Sequence, residues 1–166
     1  MDFSIYLGIA ADIIVALILV FSFIGGLKQG AIKAFLGLLA FIIAIPLAGI
    51  FTPYISGWLS FVGDSDWRSL IALLLTVGII IIVLHLVLWI PRTLLEKVWN
   101  SGFFWNLLGG LFGVMNSALG LVFMIKLLDI YPVLPWLDGF FAYSHVLNWL
   151  GSTIGANVSF LMQNIR

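Results

Sequence analysis

Few side chains in this 166-residue sequence carry chemistry, and most of those lie in apolar surroundings. Asp12 stands about a third of the way along the apolar stretch 3–27, and His85 lies in the stretch 69–90, one turn before Trp89. Asn106 and Asn116 fall in the stretch 106–128. An ionised carboxylate facing acyl chains is costly. Asp12 is therefore expected to face a helix bundle, to be protonated, or to sit at the interface with Met1–Ala11 outside the hydrocarbon. A single imidazole makes no zinc site, which takes three or four ligands. His85 is expected to face the bundle and find a hydrogen-bond partner there. A proton relay with Asp12 rests only on titration of histidine near neutral pH. Asn106 and Asn116 are ten residues apart in one helix, hence about 80° out of phase at 100° per residue. Either can hydrogen-bond across helices.

No catalytic constellation joins them. Ser144 and His145 are chain neighbours, and nucleophile–base pairs are recognised by spatial geometry rather than adjacency. The sequence holds no phosphate loop, no HExxH, no paired-carboxylate motif and no dinucleotide fingerprint. It has no cysteine, which removes thiolate chemistry and Cys-ligated metals. No catalytic, metal or cofactor residue is expected, and the chain is not expected to be an enzyme.

The elements that position these residues follow from composition. The chain is 63% apolar and 8% charged, against roughly 45–50% and about 25% in soluble domains. Too few polar groups exist to cover a water-soluble surface. Lys plus Arg is 7 and Asp plus Glu is 7, so no basic excess suggests nucleic acid. A membrane span needs about 20 mostly apolar residues. Four stretches satisfy this, at about 3–27, 31–51, 69–90 and 106–128. They are helical, because an open strand in lipid leaves backbone groups unpaired. The expected fold is all-α: a polytopic four-helix transmembrane domain over residues 1–128 and an amphipathic, interfacial C-terminal tail over 129–166. Asp2 at the start is unlike the basic opening of a secretory signal, so the first span is expected to remain.

Punctuation and aromatics set the limits. The run Gly25–Gly30 reads as a tight turn. Thr52-Pro53 is expected to close the second helix and Pro91 the third, since the residue before proline tends to leave the helical region. Pro46 is expected to kink the second helix. All seven Trp residues fall near or beyond predicted helix ends, where indole prefers the headgroup level. The stretch Pro53–Trp67 suggests a short helix lying in the interface. Lys28, Lys33, Arg92 and Lys97 place the first and third connections in the cytoplasm by the positive-inside rule, and both termini outside. Arg92 and Glu96 have the spacing of a helical ion pair, as do Lys126 and Asp129. In the tail, Leu147, Leu150, Ile154, Val158 and Leu161 recur at steps of three and four, the pattern of an amphipathic helix. Such a helix lies on the bilayer, on the bundle or on a second subunit.

Two stripes of small residues remain: Gly26, Gly30, Ala34 and Gly37 around the second helix, and Gly109, Gly113, Ser117 and Gly120 in the fourth. Helices in lipid associate by close backbone approach, which such stripes permit. They pack this bundle or form a subunit interface. The expected partners are the bilayer, a second copy of the chain or another membrane protein, and no nucleic acid.

Two of these segments carry a family resemblance. Asp12-Ile13-Ile14 followed by Phe21-Ser22-Phe23-Ile24-Gly25-Gly26-Leu27-Lys28-Gln29-Gly30 resembles the first motif of the bacterial colicin V production (CvpA) family. Asn106-Leu107-Leu108-Gly109-Gly110-Leu111-Phe112-Gly113-Val114-Met115-Asn116-Ser117 resembles its second. Ser144-His145-Val146-Leu147 is similar to the family's serine-containing tail element. The chain departs from the pattern at Asn106 and Asn116, where the family usually has arginine, at Ala34, where it often has glutamate, and at Ser117, where it has glycine. The resemblance implies a multi-pass protein of the bacterial cytoplasmic membrane, associated with colicin V production or export and envelope homeostasis. Two readings follow: a non-enzymatic accessory factor working through helix–helix and partner contacts, or a subunit of an oligomeric channel or transporter.

Overall fold

A computed structural model describes residues 3–59, 63, 65–98, 102–131 and 143–163. Five helices account for nearly all of them: α1 (Phe3–Gln29), α2 (Ala31–Trp58), α3 (Ser65–Val98), α4 (Phe103–Ile130) and α5 (His145–Leu161). There is no strand among the described residues. The first four helices are long and apolar enough to cross a membrane. They leave large apolar side chains such as Phe21, Ile82, Leu86 and Leu111 facing outward, which suits a chain whose solvent is acyl chains.

One residue turns the chain from α1 into α2. Gly30 has φ +78° and ψ 164°, a region essentially restricted to glycine. Its amide donates to the Gly26 carbonyl at 3.0 Å and its carbonyl accepts from Ala34 at 3.1 Å, so both helix ends are closed within the turn. The helices then pack in a fixed order. α1 lies along α4, α4 along α2, and α2 along α3; α3 packs chiefly against α2. The core runs through Ile45, Leu73, Val122, Phe123 and Leu127. Phe41 meets Phe123 edge-on at 5.8 Å, and Phe35 meets Phe112 at 5.3 Å, joining α2 to α4.

Three helix limits differ most from the sequence expectation, and the two at prolines differ for one reason. α2 continues past Thr52-Pro53 to Trp58. α3 begins at Ser65 and continues past Pro91 to Val98. A proline removes one backbone hydrogen bond; breaking the helix in an apolar medium would strand several carbonyls and amides at once. Continuing is the lesser loss. Hydroxyls near Pro53 support the continuation: Thr52 Oγ1 donates to the Ala48 carbonyl at 2.6 Å and Ser56 Oγ to the Pro53 carbonyl at 2.9 Å. The stretch read as an interfacial helix, Pro53–Trp67, is thus divided between the end of α2 and the start of α3. α1 is likewise continuous from Phe3, with no separate interfacial segment before Asp12. The Arg92–Glu96 side-chain pair, Trp99, Trp136 and the prolines at 132 and 135 lie outside the described residues.

The tail helix α5 folds back on the bundle. Leu147, Leu150 and Val158 are buried against it, mostly on α4 and partly on α1. Trp149 and Phe160 face outward. At this end Lys126 and Asp129 form the expected ion pair at 3.0 Å. Tyr131, just past α4, ionises above the ordinary tyrosine range, because burial and then the negative charge of Asp66 disfavour the phenolate. The folded form therefore holds this proton more tightly than the unfolded chain. The stability it adds is complete below the ordinary tyrosine pKa and is lost as pH rises through the folded value. Tyrosinate absorbance of the protein minus that of Tyr131→Phe is expected to rise later in an alkaline titration than a free tyrosine does.

Candidate functional site

Two features bring polar groups together inside this apolar bundle. The first is a seam with a cleft beside it. α1 and α4 approach until their backbones touch at Gly26, Gly109 and Gly113. A Cβ on Gly26 would overlap the Gly109 carbonyl, one on Gly109 would lie 2.5 Å from the Gly26 carbonyl, and one on Gly113 would overlap the Ser22 carbonyl. Gly110 accommodates the Phe23 ring in the same way. One turn farther along, Ser22 and Ser117 hydrogen-bond to each other through their hydroxyls. Five of the small residues singled out in the sequence, Gly26, Gly30, Gly109, Gly113 and Ser117, are therefore placed at the contact between α1, its turn and α4. Gly37 and Gly120 are not: a Cβ on either would meet nothing within 4 Å.

A cleft of about 460 Å³ opens beside the seam, lined from α1, α2, α3 and α4. Lys33 and Gln29 line it near the Gly30 turn, and Ser22, Asn116 and His85 line it farther in, with Phe21, Phe41 and Ile81. Gln29 and Ser22 are seven residues apart on α1, about 10 Å of helix rise, so polar groups reach about a third of the way across a hydrocarbon core about 30 Å thick. His85 Nδ1 lies 2.9 Å from the Ile81 carbonyl. A carbonyl only accepts, so Nδ1 carries the hydrogen, and Nε2 of the neutral ring is left as an acceptor. The partner of His85 is thus its own helix, not a neighbouring one, and the ring is exposed at the cleft rather than turned into the bundle as expected. Asn116 Oδ1 is buried with no hydrogen-bond partner. Ala34, Asn116 and Ser117 all line this cleft. Asn106 does not; it is exposed at the start of α4, near the Gly30 turn.

The second feature lies at the other end of α1. Asp12 is seventeen residues from Gln29, about 25 Å along the axis. Its Oδ1 accepts from Ser144 Oγ at 2.5 Å and from the Val146 amide at 3.1 Å. Ser144 is the N-cap of α5, and its Oγ in turn accepts from the Leu147 amide at 3.1 Å. The orphan amides of a helix N-terminus and its partial positive charge are a natural partner for a carboxylate. Gly8, one turn before Asp12, lets the Tyr143 backbone come close: a Cβ there would lie 2.6 Å from the Tyr143 carbonyl. Asp12 is therefore neither lipid-facing nor free. It is partly buried and holds α5 to α1. Ser144 serves as the cap of α5. Asp12 and His85 do not share a site. Sequence reasoning passed over Gly8, although the pair Gly8 and Asp12 at i, i+4 marks one helix face.

The arrangement is that of a multi-pass α-helical membrane protein, four membrane-capable helices with a fifth folded onto them. A family model described as colicin V production protein matches residues 11–155. The chain belongs to the colicin V production protein family. The matched span contains the Asp12 cap, the α1–α4 seam and most of α5. No curated protein and no solved structure matches the chain.

Proposed function

We propose that this chain is a non-enzymatic accessory factor of colicin V production or export and of envelope homeostasis, seated in the cytoplasmic membrane and working through helix–helix contacts with a second copy or another membrane protein. The observation that carries the reading is the position of α3. It is an edge helix, packed chiefly on α2, and it turns Leu75, Ile79, Ile82, Leu86 and Ile90 outward in one stripe. Within that stretch Gly78 has open space where a Cβ would stand. A neighbouring helix gains close approach there that no described residue of this chain uses. The basic residues Lys28 and Lys33 support a cytoplasmic position for the Gly30 turn, which puts the Asp12 end and both termini outside.

The cysteine-free sequence suits a direct test. Single cysteines at Ile79 or Ile82 are expected to give a defined crosslinked product in cells, and a cysteine at buried Leu73 none. Gly78→Ile is expected to remove that product and to lower colicin V release by a producing host that depends on this chain. Recovery of monomer alone from every outward position of α3 would refute the reading.

The cleft favours a second reading, a subunit of an oligomeric channel or transporter, because it gathers Asn116, His85 and Lys33 in one polar recess. Purified protein in liposomes would then pass ions or small solutes, and Asn116→Leu would change that flux. Sealed liposomes at every protein density dispose of this alternative.

A further inference from the structure

We propose that the cleft beside the α1–α4 seam binds a phosphate ester bearing free hydroxyls, the chemistry shared by a glycerol-type phospholipid headgroup and a soluble polyol phosphate. The proposal stands whether the chain acts as an accessory factor or as a transport subunit. Size is the first argument. The cleft measures about 460 Å³, within the range of roughly 300–1,000 Å³ typical of small-molecule sites. Charge is the second. Lys33 is the one charged side chain that lines it, and no carboxylate does so among the described residues. A half-buried ammonium with no carboxylate in its own recess favours an anion.

The third argument is an unmet acceptor. Asn116 Oδ1 is buried and unpartnered, which is costly away from water. The ionised oxygens of a phosphate ester have no donor to give it, and inorganic phosphate carries its P–OH on the anion itself; a hydroxyl on the carbon skeleton can donate at a distance from the charge. Ser22 and Ser117 already share a hydrogen bond, and each hydroxyl oxygen keeps further acceptor capacity. The recess therefore asks for one anionic group toward Lys33 and hydroxyl donors farther in. Phe21, Phe41 and Ile81 supply apolar walls for the carbon skeleton between them. α1 and α3 flank the cleft but are not a major packing pair, so acyl chains have a lateral way out into the bilayer.

The test uses the full chain purified in dodecyl maltoside and native mass spectrometry. Phosphatidylglycerol and phosphatidylcholine with the same acyl chains are added in turn, then glycerol 3-phosphate or inorganic phosphate as competitor. Phosphatidylglycerol is expected to be retained over phosphatidylcholine. Lys33→Gln and Asn116→Leu are each expected to reduce that retention about tenfold, the loss expected of one hydrogen bond to a charged or buried group. Lys33→Arg should restore most of it, and Gly151→Ala, on α5 and outside the lining of the cleft, should leave it unchanged. Competition by glycerol 3-phosphate assigns the site to a soluble polyol phosphate; lack of competition assigns it to the lipid. Equal retention of the two lipids, or retention indifferent to Lys33→Gln and Asn116→Leu, overturns the proposal. Competition by inorganic phosphate as strong as that of glycerol 3-phosphate overturns its hydroxyl half.

Discussion

Gly26→Ala is expected to unseat α1 from α4 and to be among the most damaging single substitutions in the chain. The added methyl would meet the Gly109 carbonyl and stand 3.0 Å from Gly110 Cα. Both are backbone, on a helix held by its own hydrogen bonds, so neither yields by a rotamer change. Overpacking a rigid site costs about 1–3 kcal/mol and occasionally more, and here the clash is with main chain on both counts. A loss of about 3 kcal/mol or more in reversible unfolding by dodecyl sulfate is expected. Gly120→Ala supplies the contrast. Its Cβ meets nothing within 4 Å, and alanine is a better helix former than glycine by about 0.8–1.0 kcal/mol. That variant should be neutral or slightly more stable. Equal behaviour of the two would mean that the α1–α4 contact is looser than this backbone geometry requires.

The two glycines look alike in sequence. Gly26 and Gly120 both belong to stripes with helical spacing, and only the register of α1 against α4 separates them. That register is a relation between helices, and periodicity within one helix does not contain it. The long apolar runs were legible for the opposite reason: crossing a membrane is a property of each segment alone. The limits at Pro53 and Pro91 were misleading because a rule formed mainly in water, that proline ends helices, weakens where an interrupted helix has no solvent to bond with. His85 and Asn116 stand out singly as polar residues in apolar helices. Their meeting in one cleft with Lys33 depends on α3 running antiparallel to α2, at a depth no local pattern sets.

The second large effect is expected at Asp12. Asp12→Ala should release the start of α5 from α1, because the carboxylate bonds two groups there at once, the Ser144 hydroxyl and the Val146 amide. The two bonded residues are separated by 132 positions in sequence from Asp12 to Ser144, so the contact closes nearly the whole chain. Ser144→Ala removes the hydroxyl and the cap on the Leu147 amide, a loss of about 0.5–2 kcal/mol for a capping residue, yet leaves the carboxylate facing the Val146 amide. Asp12→Ala is therefore expected to be the more disruptive of the pair. Asp12→Asn, which keeps an acceptor oxygen but no charge, should fall between them. Groups in one hydrogen-bond network are not additive, so the double variant Asp12→Ala, Ser144→Ala should lose less than the two singles together. The measurement is amide exchange at Val146 and Leu147 in detergent, beside exchange at Leu127 in the core. Faster exchange confined to the start of α5 is the expected result. Unchanged protection there in Asp12→Ala would mean that Leu147, Leu150 and Val158 hold α5 by packing alone, and the carboxylate would then have to be explained by something other than the helix it caps.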